Sequence, residues 1–443
     1  MPFRIVQGGF SMSTTKRILL ILLVSFFGIG LAFSQGTKDE QNEKVELVLW
    51  DLHTDGPAAA MVDKIVADYM AKNPNVTVTH SAFKVEDLRN IIKPAINSGK
   101  GPDVFSYDAG AGYLGVLAGS SLAYDMTDYA KQHDWYQKFF DWGLAKSTFG
   151  GRLYGVTNQL ELLGFFYNKD IFAKAGVTPP SSYAQFLDVA KALKAKGYLP
   201  IILPDKDQWP GFHYESIWLN SFAGPDMVKK AVKTEISWET PIFAEALDEF
   251  SRLVASGLTS DKPLGLSYQD ALNSFYAGGG AMIPTGTWIV GEAVANMKDN
   301  VGYFFLPAAK PGVPNSPPGG FGEALVVNAK SKHPLIALDF IDFMFSESQI
   351  KTIYEVGGFI PAVNDVDVSK LDIPGLLKDV IKEIDSAQTL GENIDVLMPP
   401  KVNEVTANYI QEIIAGKKTG ALALAEKQQA LLEDIAAGNF TVE

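Results

Sequence analysis

Three glycines near the end of the first quarter of the chain have the spacing of a nucleotide-binding turn. Gly110, Gly112 and Gly115 form G-x-G-x-x-G within the sequence DAGAGYLG. In dinucleotide-binding enzymes this motif follows the first strand of a βαβ unit, and an acidic residue about 20 positions later binds the ribose. Here the motif follows the third predicted strand, and the sequence GSS interrupts the helix that should come next. We therefore expect these glycines, which lack Cβ, to let the loop lie close to another backbone or a ligand.

Other catalytic signatures are missing or inconclusive. The chain contains neither G-x-S-x-G nor H-E-x-x-H, and its five histidines lack metal-ligand spacing. It has no cysteine, which excludes disulfides, thiol catalysis and thiolate zinc sites. Carboxylates are numerous, so a glycoside hydrolase with a pair of catalytic acids stays open as an alternative. The sequence predicts no cofactor and no metal site.

The composition indicates an exported globular protein. The 443 residues suggest two lobes, and the formal charge of −13 argues against nucleic acid or an anionic membrane as the main partner. Lys16 and Arg17 precede the apolar run ILLILLVSFFGIGLAF, which is short for a membrane span. This pattern predicts a signal peptide over residues 1–34, and a start at Met12 would make residues 1–11 an over-extension. We expect a periplasmic protein or, if the segment is not cleaved, one tethered to the outer face of the membrane.

The periodicity of the next segments predicts an α/β lobe. Apolar runs at Val45–Leu52, Val76–His80 and Val104–Tyr107 alternate with helical patterns, which indicates a parallel sheet with right-handed crossovers. A short buried strand is predicted over Leu199–Leu203. The Pro- and Gly-rich stretch 307–320 is the clearest linker-like segment in the chain.

Several longer features resemble one family. The run YGVTNQLELLGFFYNKDIFAKAGVTPP is accompanied by GPDVFSYD, FYAGGGAMIPTGTW, GGFGEALVVN, ALDFIDFMFSESQ and VGGFIPA. In these features, which cover essentially residues 45–440, the chain resembles the extracellular sugar-binding proteins of ABC importers, the maltose-binding-protein type of family 1 solute-binding protein. The resemblance implies a two-lobed α/β periplasmic-binding-protein fold of type II. Such a fold closes on its ligand about several hinge crossovers.

The same resemblance implies the boundaries of the lobes. It assigns residues 35–158 and 322–362 to an N-terminal lobe and residues 159–321 and 363–443 to a C-terminal lobe. It places the crossings near Thr157–Leu160, Pro317–Phe321 and Phe359–Val363. The linker-like stretch then becomes the approach to a crossing.

A sugar site needs aromatic rings for the C–H faces and polar groups for the hydroxyls. The resemblance places Trp288 of PTGTW at the stacking position, with a core tryptophan as the alternative, and Glu161 at a cleft carboxylate position. The further predicted ligand residues are Tyr107, Asp108, Asn158, His53, Thr54, Asp55, Trp209, His213, Gly320 and Phe321.

Some of these residues have a structural alternative. Asn158 and Glu161 could be hinge residues, and Asp55 could be a helix N-cap. Trp209 and His213 are predicted to lie on a loop. The family's C-terminal stacking tryptophan is missing, and Asn403 falls near its position, which favours a short or different oligosaccharide over a long glucan. None of the predicted ligand residues is Arg or Lys, which disfavours phosphate, sulfate or uronic-acid ligands.

The sequence therefore predicts a non-catalytic, monomeric binding protein. It would capture a neutral mono- or oligosaccharide and deliver it to the membrane permease of an ABC transporter. The alternatives are a secreted glycoside hydrolase and a receptor for another solute, such as a polyamine or a metal.

Overall fold

The computed structural model describes residues 44–320, 322–438 and 440. The predicted signal peptide and Phe321 lie outside the described residues. The strands are β1 (Val45–Asp51), β2 (Val76–Ala82), β3 (Val104–Asp108), β4 (Thr148–Phe149), β5 (Arg152–Leu153), β6 (Val156–Thr157), β7 (Glu161–Asn168), β8 (Met282–Gly286), β9 (Val301–Phe304), β10 (Pro318–Gly320), β11 (Glu323–Val327) and β12 (Gly391–Glu392). The α-helices of the first half are α1 (Gly56–Lys72), α2 (Val85–Asn97), α3 (Leu114–Gly119), α4 (Thr127–Gln132), α5 (Trp135–Lys138), α6 (Asp141–Ala145), α7 (Lys169–Ala175), α8 (Tyr183–Ala195) and α9 (Trp209–Ala223). Those of the second half are α10 (Pro225–Val232), α11 (Pro241–Ala255), α12 (Tyr268–Tyr276), α13 (Val290–Met297), α14 (Pro334–Met344), α15 (Glu347–Thr352), α16 (Gly375–Ser386), α17 (Pro400–Ile414) and α18 (Gly420–Ala436).

The first sheet has the strand order β2-β1-β3-β11-β6. The first three strands are parallel, as predicted, and β11 runs antiparallel to both of its neighbours. The apolar face of α1 packs with β1 residues such as Leu47 and Leu49 in one core cluster. Leu88 and Ile92 of α2 pack with Phe105 in another. Helices therefore cover both faces of this sheet, which is the arrangement that buries a parallel sheet.

The second sheet has the order β12-β10-β7-β8, and β9 also pairs with β7. Phe165 and Phe166 are adjacent on β7 and belong to different core clusters, so both faces of this sheet are buried. The strand predicted over Leu199–Leu203 is confirmed only in part. Ile201 alone forms β-bridges, to Thr259 and Met282, while backbone hydrogen bonds also join Leu199, Pro200 and Ile202 to Ala281 or Met282.

The chain passes between the two sheets from β6 to β7 and again from β10 to β11. Thr157 ends β6 in the first sheet and Glu161 begins β7 in the second, while the chain returns between β10 and β11. The Asn158 N–H donates to the carbonyl of Glu323 at 3.3 Å, and the Asn158 carbonyl accepts from the N–H of Ala362 at 3.2 Å. Asn158 therefore joins the first passage to β11 and to Ala362 by backbone hydrogen bonds. This is the two-lobed α/β architecture that the sequence predicts.

The C-terminal helices α17 and α18 pack against α9 and α11, beside the second sheet. A buried ion pair fixes this packing, since Lys427 Nζ lies 2.8 Å from Glu215 Oε2 and 2.9 Å from Oε1. The hydroxyl of Tyr409 donates to the same carboxylate. None of the helices in the described part of the chain has the length and apolar character required to cross a membrane.

Candidate functional site

The glycine loop that follows β3 contains Gly110 and Gly112. It lies directly against the segment Val396–Met398, which is on the side of the second sheet. Gly110 has a φ of +90°, and a Cβ there would lie 1.9 Å from the carbonyl oxygen of Val396. A Cβ on Gly112 would lie 2.3 Å from the carbonyl oxygen of Met398. The two glycines therefore allow backbone to approach backbone, and this interpretation of the motif is confirmed.

The segment that the glycines contact is shaped by Asn403. Its Nδ2 donates to the carbonyl of Asp395 at 2.7 Å and to that of Met398 at 3.3 Å. Asp395 is buried, and its Oδ1 accepts from the N–H of Val396 at 2.9 Å. Burial raises the pKa of Asp395 to about 6, although Arg89 acts in the opposite direction. Asn403, which falls near the position of the missing stacking tryptophan, therefore organises the turn that meets the glycine loop.

Asp108, at the end of β3, pairs with a side chain that is not among the predicted ligand residues. Arg89 Nε donates to Asp108 Oδ2 at 2.8 Å, and Nη2 donates to Oδ1. The guanidinium carbon lies 4.6 Å from the centre of the Tyr113 ring. Burial opposes the charge of Arg89, but Asp108 outweighs it and raises the pKa of Arg89 above its ordinary value. Next to this pair Tyr107 is buried, and burial raises its pKa to about 12.

Four aromatic rings form a second group, on the side of the second sheet. The centres of the Trp209 and His213 rings are 5.3 Å apart, and those of His213 and Trp288 are 5.2 Å apart. Tyr268 lies 4.4 Å from Trp209, and its hydroxyl accepts from Trp288 Nε1 at 2.8 Å. We call Trp209, His213, Tyr268 and Trp288 the aromatic cluster. Tyr268 is not among the predicted residues, because no motif surrounds it.

The prediction that Trp209 and His213 lie on a loop is wrong. Both lie in the first turns of α9, which begins at Trp209. Pro210 suits this first turn because a helix does not need the N–H that proline lacks there. The preceding residue Gln208 has a φ of +65°, a conformation that costs a residue with a side chain about 1–3 kcal/mol.

Trp288 lies where the core clusters of the two sheets meet. Its half-buried side chain packs against the core beside β1 and against both cores beside β7. A Cβ on Gly286 would lie 1.8 Å from Trp288 Cζ3, so the indole lies flat over this glycine. The ring is held by its hydrogen bond to Tyr268 and keeps part of its surface free.

Glu161 lies at the crossing between the sheets. Its Oε1 accepts from Gln159 Nε2 at 2.9 Å, and its Oε2 accepts from the N–H of Gly322 at 3.1 Å. Burial, and then the neighbouring carboxylate of Glu323, raise the pKa of Glu161 to about 8. A Cβ on Gly322 would lie 2.1 Å from Glu161 Oε2, whereas no atom lies within 4 Å of the Cβ position of Gly320. The close approach at this crossing is therefore made by Gly322.

The turn after β1 carries three predicted residues. The His53 ring lies 5.5 Å from that of Phe359, and Thr54 and Asp55 are exposed. Asp55 occupies the N-cap position of α1, but its side chain makes no capping hydrogen bond. His53 and Asn158 line a cavity of about 30 Å³, and the Oδ1 of Asn158 has no hydrogen-bond partner among the described residues.

The Arg89–Asp108 pair lies near enough to the aromatic cluster for the charge of Arg89 to act on His213. Burial and the positive charge of Arg89 lower the pKa of His213 to about 3, which keeps this imidazole neutral. The site thus combines partly exposed indole surface, a neutral imidazole and a guanidinium whose charge Asp108 compensates. Such groups suit an uncharged ligand that has both apolar faces and hydroxyl groups.

Comparison with known proteins identifies the family of this chain. The family described as bacterial extracellular solute-binding protein matches residues 64–371. The chain belongs to this family. Among its relatives is the multiple sugar-binding protein of Streptococcus mutans, 26% identical over 373 residues, which cover 80% of this chain and 84% of that protein.

Solved structures have the same fold as this solute-binding protein. One was determined in a study of xylan utilisation by the thermophilic bacterium Caldanaerobius polysaccharolyticus, with a TM-score of 0.80, 23% identity and coverage of 87% of this chain and 99% of that one. Another is a chitin oligosaccharide binding protein, with a TM-score of 0.80, 24% identity and coverage of 89% and 99%. The two-lobed fold is therefore established for this chain.

Proposed function

We propose that this solute-binding protein captures a neutral mono- or oligosaccharide between its lobes and delivers it to the permease of an ABC importer. The observation that carries the proposal is the aromatic cluster, whose neutral His213 lies within the electrostatic influence of the Arg89–Asp108 pair. The indoles would stack on the C–H faces of a pyranose, and the polar groups would bind its hydroxyls. The multiple sugar-binding protein and the chitin oligosaccharide binding protein to which the chain is similar support the same class of ligand.

The site would be formed by both lobes, with the boundaries that the resemblance implies. Tyr107, Asp108 and the His53–Asp55 turn lie beside the first sheet, while Trp209, His213 and Trp288 lie beside the second. Glu161, Asn158 and Gly320 lie at the crossings, where they would transmit closure of the lobes. We further propose an exported, monomeric protein without catalytic activity, either periplasmic or tethered to the outer face of the membrane.

A thermal-shift screen of the chain from Gln35 onward tests this proposal. The panel holds mono- and oligosaccharides, amino acids, polyamines, divalent metals and NAD. A ligand at 100 times its Kd stabilises the folded state by about 2.7 kcal/mol, which is a clear shift of Tm. We expect one series of neutral sugars to raise Tm and to be recovered unchanged by mass spectrometry.

Each other result selects a different function. Recovery of a cleaved sugar would establish a glycoside hydrolase, whose paired carboxylates would then be sought across the cleft. A response to polyamines or metals alone would contradict the sugar proposal and leave the fold unchanged.

A further inference from the structure

His80 lies between two carboxylates, beside the turn His53–Asp55. We call this turn, which carries three predicted ligand residues, the ligand turn. His80 on β2 has its Nε2 3.0 Å from Asp51 Oδ2, at the end of β1. Its Nδ1 lies 3.2 Å from Asp63 Oδ1, on α1. The side chains of His80 and Asp51 are 14% and 3% exposed, whereas that of Asp63 is 71% exposed. The imidazole thus links a buried carboxylate to one at the surface.

Asp51 connects this histidine to the ligand turn. Its second oxygen, Oδ1, accepts from the N–H of His53 at 3.1 Å. Neither Asp51 Oδ2 nor His80 Nε2 has a hydrogen-bond partner within the described residues, so their 3.0 Å contact is an ion pair without hydrogen-bond alignment. Their ion pair is therefore the main compensation for burying the Asp51 carboxylate, which also orients the turn.

The two contacts favour a protonated ring. A carboxylate oxygen lies within 3.2 Å of each ring nitrogen, and both negative charges stabilise the imidazolium, although only Asp63 Oδ1 is placed for a hydrogen bond. Asp51 raises the pKa of His80 above 6.5, burial opposes this, and Asp63 adds to the increase. Asp51 and Asp63 are the charged groups that face the ring from β1 and α1.

We propose that His80 is a positioning residue for the ligand turn His53–Asp55. As an imidazolium it fixes Asp51, which holds the N–H of His53, and through Asp63 it ties the turn to α1. The inference rests on the proposed function, because the turn contacts ligand only if the cleft binds a sugar. When His80 loses its proton, its ion pair with Asp51 is lost and the turn is less well ordered. Sugar binding is therefore tighter below the pKa of His80 than above it.

The test combines calorimetry with NMR on the mature chain. The Kd for the sugar found in the thermal-shift screen is measured from about pH 6 to about pH 9. This range includes the ordinary pKa of a histidine and a raised one. We expect the wild-type Kd to rise about five- to tenfold across this range. His80→Gln should bind with a Kd that does not change with pH and lies near the weaker value that the wild type reaches at high pH. His133→Gln is the matched control, since His133 stacks on Tyr129 at 3.8 Å and lies outside the site.

Asp63→Asn provides a second variant at an exposed carboxylate, where folding is preserved. It should move the midpoint of the pH profile and the NMR pKa of His80 downward. An NMR pKa of 6.5 or below in the wild type would overturn the proposal, as would a wild-type profile in His80→Gln. If no sugar binds the wild type, the proposed function and the positioning role fail together. If sugar binds and the pH profile is flat, only the positioning role fails.

Discussion

Arg89 binds Asp108 with two parallel hydrogen bonds, although the residues are 19 positions apart and lie on a helix and a strand. Nε and Nη2 are both used by this carboxylate, and the guanidinium stacks on Tyr113. The remaining N–H groups are therefore held in one orientation, and the charge of Arg89 helps to lower the pKa of His213. These contacts hold the Arg89 guanidinium in a fixed position, and Asp108 compensates its charge.

Replacing Arg89 by Lys should weaken sugar binding although the charge is kept. An ammonium cannot form the two parallel bonds, so we expect Kd to rise by about one to two orders of magnitude. Arg152→Lys is the control, because Arg152 is 65% exposed and its nearest carboxylate contact, to Asp125, is 3.6 Å long. Calorimetry measures both variants. Equal Kd values for Arg89→Lys and the wild type would show that the guanidinium does not contact the ligand.

Trp288→Ala should remove most of the affinity for sugar. Loss of a stacking ring in a well-packed pocket costs about 2–4 kcal/mol of binding, and Trp288→Phe should retain part of it. Trp50→Phe is the control, since this indole packs on Phe83 at 5.0 Å beside the first sheet. Tryptophan fluorescence gives a second measurement. A ligand-induced change that persists in Trp288→Ala would place the stacking ring elsewhere in the aromatic cluster.

Gly112→Ala should disrupt the contact between the glycine loop and the turn at Met398. The new methyl group would lie 2.3 Å from a backbone oxygen, so we expect a loss of about 1–3 kcal/mol in the free energy of unfolding. Gly119→Ala, at the end of α3, meets no atom within 4 Å and should change stability by less than about 0.5 kcal/mol. Urea denaturation measures both. If the two variants are equally stable, the close approach at Gly112 is not required.

Glu161 should make the protein less stable as pH rises. The ordinary pKa of 4.5 becomes about 8 in the folded state, so within this window the folded chain holds a proton that the unfolded chain has released. Stability is therefore lost as pH rises towards about 8. Glu161→Gln should lack this part of the loss and become more stable relative to the wild type as pH increases.

Melting temperatures at several pH values between these limits check the effect of Glu161. Glu235→Gln, at an exposed site, serves as the control and should follow the wild type. His80 contributes separately. Because its folded-state pKa is raised, its stabilisation is complete below its ordinary value of 6.5 and is lost as pH rises through the folded value. A parallel pH dependence in Glu161→Gln and the wild type would contradict the assignment to Glu161.

Local sequence patterns predict most of the first lobe. The apolar runs at Val45, Val76 and Val104 mark β1, β2 and β3, because strands buried on both faces need continuous apolar residues. Ser182 is the N-cap of α8, as the polar residues before the helical pattern indicate, since its hydroxyl accepts from the N–H of Gln185. The segment around Ile201 has the same apolar character but forms only a short pairing beside β8, because the length of a pairing depends on distant partners.

The site is less predictable from sequence because its key contacts are not local. Arg89 lies on a polar face of α2, which looks like a solvated surface until Asp108 is placed beside it. Tyr268 is joined to Trp288 and Trp209 only by tertiary structure. His80 looks like an ordinary strand residue, and its two carboxylates come from β1 and α1. Motifs identify residues that belong together along the chain, whereas these pairs exist only in the folded chain.

The position of β11 has a consequence for the order in which the protein folds. This strand lies between β3 and β6, which have no direct pairing with each other. As the chain is synthesised, both strands keep an open edge until the ribosome has passed Val327, and open edges invite pairing with other chains. The first sheet can therefore be completed only late in translation. Until then the first lobe is incompletely folded.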